Sequence, residues 1–167
     1  YTDPKQSDPS LLATQLTYNA DGYYTYTFTT DITDPAQTNG VIFEPGRTHR
    51  VAVQLRYTNA AGEVVRVNPY FDFTFDASGN SVVLSNPATQ DHLMADVQQC
   101  NTCHEKLAVH GGGRVDVQYC VTCHNPGTID PNSGNVLTLS TMVHSIHSAR
   151  LLASQVATGG EYYTVRT

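Results

Sequence analysis

The sequence has no tryptophan, only two methionines and only nine lysines and arginines among 167 residues. Against 15 acidic residues, so few basic ones leave a net charge of -6 and exclude nucleic-acid binding, which needs a basic footprint. No apolar run approaches the roughly eighteen residues of a spanning helix, and no secretory h-region is present. Charged residues are scarce at 14%, while hydrophobic residues reach 40%, so a disordered polyelectrolyte is excluded too. The chain opens on Tyr1 rather than Met, and a mature, trimmed or partial polypeptide is therefore expected. Residues 1–90 lack cysteine altogether; all four cysteines lie beyond them.

That asymmetry divides the sequence into 1–90 and 91–167. The first part holds all five phenylalanines, seven of ten tyrosines and one of seven histidines. It reads as strands. Tyr24, Tyr26 and Phe28 alternate with threonines after the turn residues Ala20-Asp21-Gly22. From His49 to Tyr57 the residues Val51, Val53 and Leu55 share one face, and a hairpin loop at Asn59 to Gly62 returns through Val64 to Val67. Phe71, Phe73 and Phe75 then alternate with Asp72, Thr74 and Asp76. Short strands with turns between them predict a small antiparallel β-sandwich or barrel.

The second part does not alternate. Asp91 to Gln99 and Glu105 to His110 are short helix candidates, and Thr138 to Leu152 is a longer one with Leu139, Val143, Ile146 and Arg150 along one side. Gly111 to Gly113 breaks what precedes it, and Asn125 to Gly127 and Asp130 to Asn135 read as turns. Large apolar side chains are too few here to fill a core, which calls for some other filler.

The cysteines suggest one. Cys100-Asn101-Thr102-Cys103-His104 and Cys120-Val121-Thr122-Cys123-His124 are each C-x-x-C-H, the attachment signature of c-type haem. Two thiols three positions apart can add to the two vinyl groups of one porphyrin, and the following histidine presents its imidazole to the iron. The expected cofactors are thus two covalent haem c groups, with Cys100, Cys103, Cys120 and Cys123 as thioether residues and His104 and His124 as proximal ligands. The cysteine spacing alone also fits a four-thiolate zinc site, and disulfides or a redox pair are further readings. Histidine after both motifs decides for haem: from composition it arises by chance in roughly 0.2% of cases.

Two irons leave room for two distal ligands, and His110, His144 and His147 are the distal candidates; His92 and His49 are weaker ones. His110 lies six residues after His104, about 120° round a continuous helix, which turns it away from the first haem. His144 and His147 share a helix face. Met142 is the one nearby methionine, Met94 falling in the linker, so bis-His ligation and low potentials are expected. Six-coordinate iron leaves no substrate site, which favours a redox carrier over an enzyme. A haem reductase or peroxidase with one open iron, or a zinc-binding module, is the alternative.

The stretches Cys100 to Arg114, Tyr119 to Gly127, Ser133 to Asn135 and Met142 to His147 closely resemble the outer-membrane decahaem c-type cytochromes of the OmcA/MtrC family. Thr48 to Val51 and Asn68 to Phe73 look like that family's N-terminal β-domain. The resemblance implies an α+β multidomain architecture, with a split β-barrel ahead of a haem-cored, mostly helical and loop region. It also implies a place at the extracellular face of the bacterial outer membrane or in the periplasm. Other multihaem cytochromes or an outer-membrane conduit would be the donor, and metal oxides, flavins or humic compounds the acceptors. Members of the family carry ten haem motifs and a lipid-anchored N-terminal cysteine. This sequence has two motifs and no such cysteine, so a segment of a longer cytochrome is expected, with a natural dihaem protein as the alternative.

Overall fold

The structure is a computed structural model that describes residues 9–84 and 95–148. The chain forms two compact units, residues 1–47 and 48–167. The division at residues 90 and 91 expected from composition lies outside the described residues.

In the first unit, α1 (Pro9–Gln15) runs into β1 (Leu16–Tyr18), which pairs antiparallel with β2 (Tyr24–Tyr26). Gly22, at φ 81°, closes the turn between them by donating to Asn19 O. The expected turn at residues 20–22 is therefore present. The strand foreseen as far as Thr29 stops at Tyr26, where the pairing ends. The cross-strand rings of Tyr18 and Tyr24 pack tilted at 55°, with centroids 5.2 Å apart.

The second unit contains two small antiparallel sheets. In one, β6 (Tyr70–Phe75) lies between β3 (His49–Ala52) and β7 (Ser81–Val83); the other is the hairpin of β4 (Leu55–Thr58) and β5 (Val64–Val67). The segment from His49 to Tyr57, expected as one strand, is two strands in different sheets. Pro69 explains the break. Its carbonyl accepts from Val53 N at 2.9 Å, but it has no N–H to return, so the ladder to β6 ends there. The sheets do not close into a barrel among the described residues.

The face assignment also changes. Phe71 is 48% exposed, while Asp72, its polar neighbour on β6, is 2% exposed. The alternation is real, but both faces of β6 are covered in part. One carries the aromatic cluster of His49, Phe73 and Phe75, and the other a buried ion pair.

Three helices follow: α2 (Val97–His104), α3 (Val117–Cys120) and α4 (Leu139–His147). The first starts later than expected and carries the first cysteine motif; residues 91–94 and 149–152 of the expected helices lie outside the described residues. Glu105 to His110 is not helical. Glu105 and His110 have φ of 54° and 51°, left-handed values that a right-handed helix cannot contain. The chain instead turns through Gly111 and Gly112, and Val109 bridges to Arg114. The only buried apolar residues among those described are Val117 and Cys120. No described helix is long and apolar enough to cross a membrane.

Candidate functional site

The two C-x-x-C-H motifs are built on one local frame. Asp96 caps α2 by accepting from Gln98 N at 2.9 Å, and Asp116 caps α3 by accepting from Gln118 N at 2.7 Å. Each cap lies four residues before the first cysteine of its motif, so the frame reads Asp-Val-Gln-x-Cys-x-Thr-Cys-His twice, twenty residues apart. A carboxylate satisfies the free N–H groups of the first turn and favours the helix that carries the thiol. The helical run continues past α3, where His124 N donates to Cys120 O at 2.9 Å.

Sequence reading missed this duplication and its capping aspartates; the signal was the identity at a twenty-residue offset. None of the four cysteines is in a disulfide. Burial pushes the Cys120 thiol above its usual value, keeping it a neutral thiol.

The histidines fall into two pairs. His104, at the end of α2, faces His147 of α4 with ring centroids 5.9 Å apart and planes at 87°. His110, in the loop after the first motif, faces His124 of the second motif at 6.1 Å and 27°. Two imidazoles on opposite sides of one iron, each about 2 Å from it, place their centroids roughly 6 Å apart. Both pairs have that spacing.

The ring nitrogens agree with it. His124 Nδ1 lies 2.9 Å from Leu137 O, and His147 Nδ1 lies 2.8 Å from Val143 O. A carbonyl only accepts, so Nδ1 is the donor in each, and Nε2 is the ring nitrogen left to ligate. Burial, then the charges of Arg114 and His124, pushes His110 below its ordinary value and favours the neutral, ligating form.

The loop, not a helix, places His110. Its left-handed φ, which histidine tolerates better than most residues, reverses the chain toward the second motif. His144 enters neither pair. His49 packs against Phe73 and Phe75 on the sheet, and His92 lies outside the described residues. A four-thiolate zinc site would need the sulfurs to converge. Among the described residues no group of three or more His, Cys, Asp or Glu is placed to hold a metal.

Buried polar side chains tie this region to the sheets. Arg50 of β3 forks onto Asp72 and also donates to the backbone and side-chain oxygens of Gln118 on α3, at 3.2 and 2.7 Å. Gln118 passes the connection on through Nε2 to Ala95 O, beside the α2 cap. Asn68, 5% exposed, holds the chain on both sides of Arg114, donating to Gly113 O at 3.1 Å and accepting from Val115 N at 2.6 Å.

Residues 93–166 match the family described as outer membrane cytochrome MtrC/MtrF-like, domains II/IV. This segment is similar to that family. The MtrC/MtrF-like match takes in both motifs and all three distal candidates, whereas the β-domain resemblance around Thr48 and Asn68 lies outside it. No curated protein and no solved structure matches the chain. Likeness to an outer membrane cytochrome implies electron transfer with covalent haem c.

Proposed function

We propose that this chain is an electron relay holding two covalent bis-His haems. Cys100, Cys103, His104 and His147 serve the first, and Cys120, Cys123, His124 and His110 serve the second. The observation that carries this reading is the pair of imidazole–imidazole spacings, 5.9 and 6.1 Å, each joining a motif histidine to a histidine from another segment. The haem supplies a one-electron Fe(III)/Fe(II) couple when bound.

What the chain contributes is attachment and constraint. Capped helices present the thiols, carbonyls of Leu137 and Val143 fix two imidazole tautomers, and the loop from Glu105 to Gly113 carries a ligand between the motifs. A haem held by each histidine pair would leave substrate no open iron, and the chain would then work as a carrier rather than an enzyme. His144 is then the surplus candidate. Val143 and Ile146 of α4 are 40% and 57% exposed, apolar surface that a porphyrin face would cover. The region 91–167 is on this reading a haem-cored domain following the β-region 1–90.

By family likeness, the donor is another multihaem cytochrome or an outer-membrane conduit, and the acceptors are metal oxides, flavins or humic compounds outside the cell. The deciding experiment is the reduced spectrum with intact mass. The expected result is chain plus two haems, with a low-spin c-type spectrum that carbon monoxide leaves unchanged. A CO-sensitive iron would support a haem enzyme, and a colourless zinc protein would overturn the reading.

A further inference from the structure

Among the described residues, one buried guanidinium nitrogen close to the second motif has no hydrogen-bond partner. Arg114 Nε is buried without a hydrogen-bond partner, and the side chain enters no ion pair among the described residues. A buried charged donor left unmade costs more than an ordinary hydrogen bond is worth, so the position implies an acceptor.

The backbone around it is firmly held. Arg114 exchanges hydrogen bonds with Val109, next to His110, at 3.0 and 3.3 Å. Asn68 clamps the residues on either side. The Arg114 backbone is thus anchored four residues after His110 and six before Cys120. Asp116, the nearest acid along the chain, has Oδ1 engaged by Gln118 N as the α3 cap.

We infer that Arg114 binds a carboxylate of the second haem, its guanidinium taking a propionate oxygen at Nε. This rests on the dihaem reading above. Guanidinium and carboxylate match as fork and fork, a geometry that lysine does not reproduce. A positive charge there also disfavours the ferric state and raises the potential of that haem alone.

The test compares the haem-loaded chain with Arg114→Gln and Arg114→Lys by resonance Raman spectroscopy and redox titration. The propionate bending mode is expected to shift in both variants. One midpoint potential is expected to fall in Arg114→Gln and to be retained in Arg114→Lys, with the other unmoved in each. Structural loosening alone would not separate the two readouts. An unchanged propionate mode in both variants, with two low-spin haems present, overturns the assignment. Absence of low-spin haem in the parent chain would instead overturn the dihaem reading.

Discussion

Arg50 and Asp72 face each other across β3 and β6 and are joined by two hydrogen bonds, each 2.6 Å long. The same guanidinium lies 4.6 Å from the centre of the Tyr70 ring. The hydrogen bonds to Asp72, as the first cause, raise the Arg50 pKa above its already high ordinary value, so the guanidinium stays charged. Replacing Asp72 with Asn leaves a largely buried guanidinium without its counter-charge. A loss of about 3 kcal/mol or more is expected in urea unfolding. A midpoint matching that of the parent protein would show that the pair contributes little.

The histidine pairs predict separable potentials. His147→Met is expected to raise one haem potential, on the order of a hundred millivolts, because thioether ligation favours Fe(II). His110→Met should raise the other. His144→Met should move neither. Titrations in which His144→Met shifts a potential and His147→Met does not would reverse the assignment on α4.

Ring orientation gives a second, independent signature. On the dihaem proposal, imidazole planes at 87° in one pair and 27° in the other predict two different low-spin ferric signals by electron paramagnetic resonance. One should be strongly anisotropic and the other rhombic. His147→Met should abolish the first signal and His110→Met the second. Two identical signals would contradict the geometry.

Asn68 makes a stability prediction. Its removal in Asn68→Ala strands Gly113 O and Val115 N–H in a poorly solvated position, costing roughly 2–3 kcal/mol. Chemical denaturation measures this, and loosening of Arg114 should accompany it. Wild-type stability in that variant would mean that water replaces both bonds.

The turn between β6 and β7 should be pH-sensitive. Asp76 accepts from Asn80 N at 2.9 Å and Ser78 N at 2.8 Å. These bonds, led by the one from the Asn80 backbone, hold its carboxyl below the ordinary value. A depressed folded-state pKa means that the stabilisation is present above the ordinary carboxylate value and is lost as pH falls through the depressed one. An NMR titration of Asp76, with amide exchange across Ser81–Val83, checks this. An Asp76 that titrates like a free peptide would refute it.

Local chemistry was readable from the sequence wherever a few adjacent residues carry it. The C-x-x-C-H motifs need only their own spacing. The β4–β5 hairpin needs alternation plus turn residues, and Asp21-Gly22 and Asn80 after Gly79 behave as turn residues should. Long-range placement was not readable. Asp72 looked like the solvent face of a strand, because alternation cannot show that Arg50 and Gln118 cover it. His110 looked helical, because nothing in Glu105 to His110 announces two left-handed residues.

The sequence by itself pointed to haem chemistry, since the thiols and imidazole that covalent attachment needs lie within five consecutive residues. It also offered three histidines, His110, His144 and His147, as candidates for the distal positions. Which of them face which motif was decided only by the tertiary structure. A loop reversal at His110 and the packing of α4 bring together residues 14 and 43 positions apart along the chain. Such approaches depend on the summed geometry of turns, caps and the Arg50–Gln118 and Asn68 anchors, which no short stretch of residues encodes.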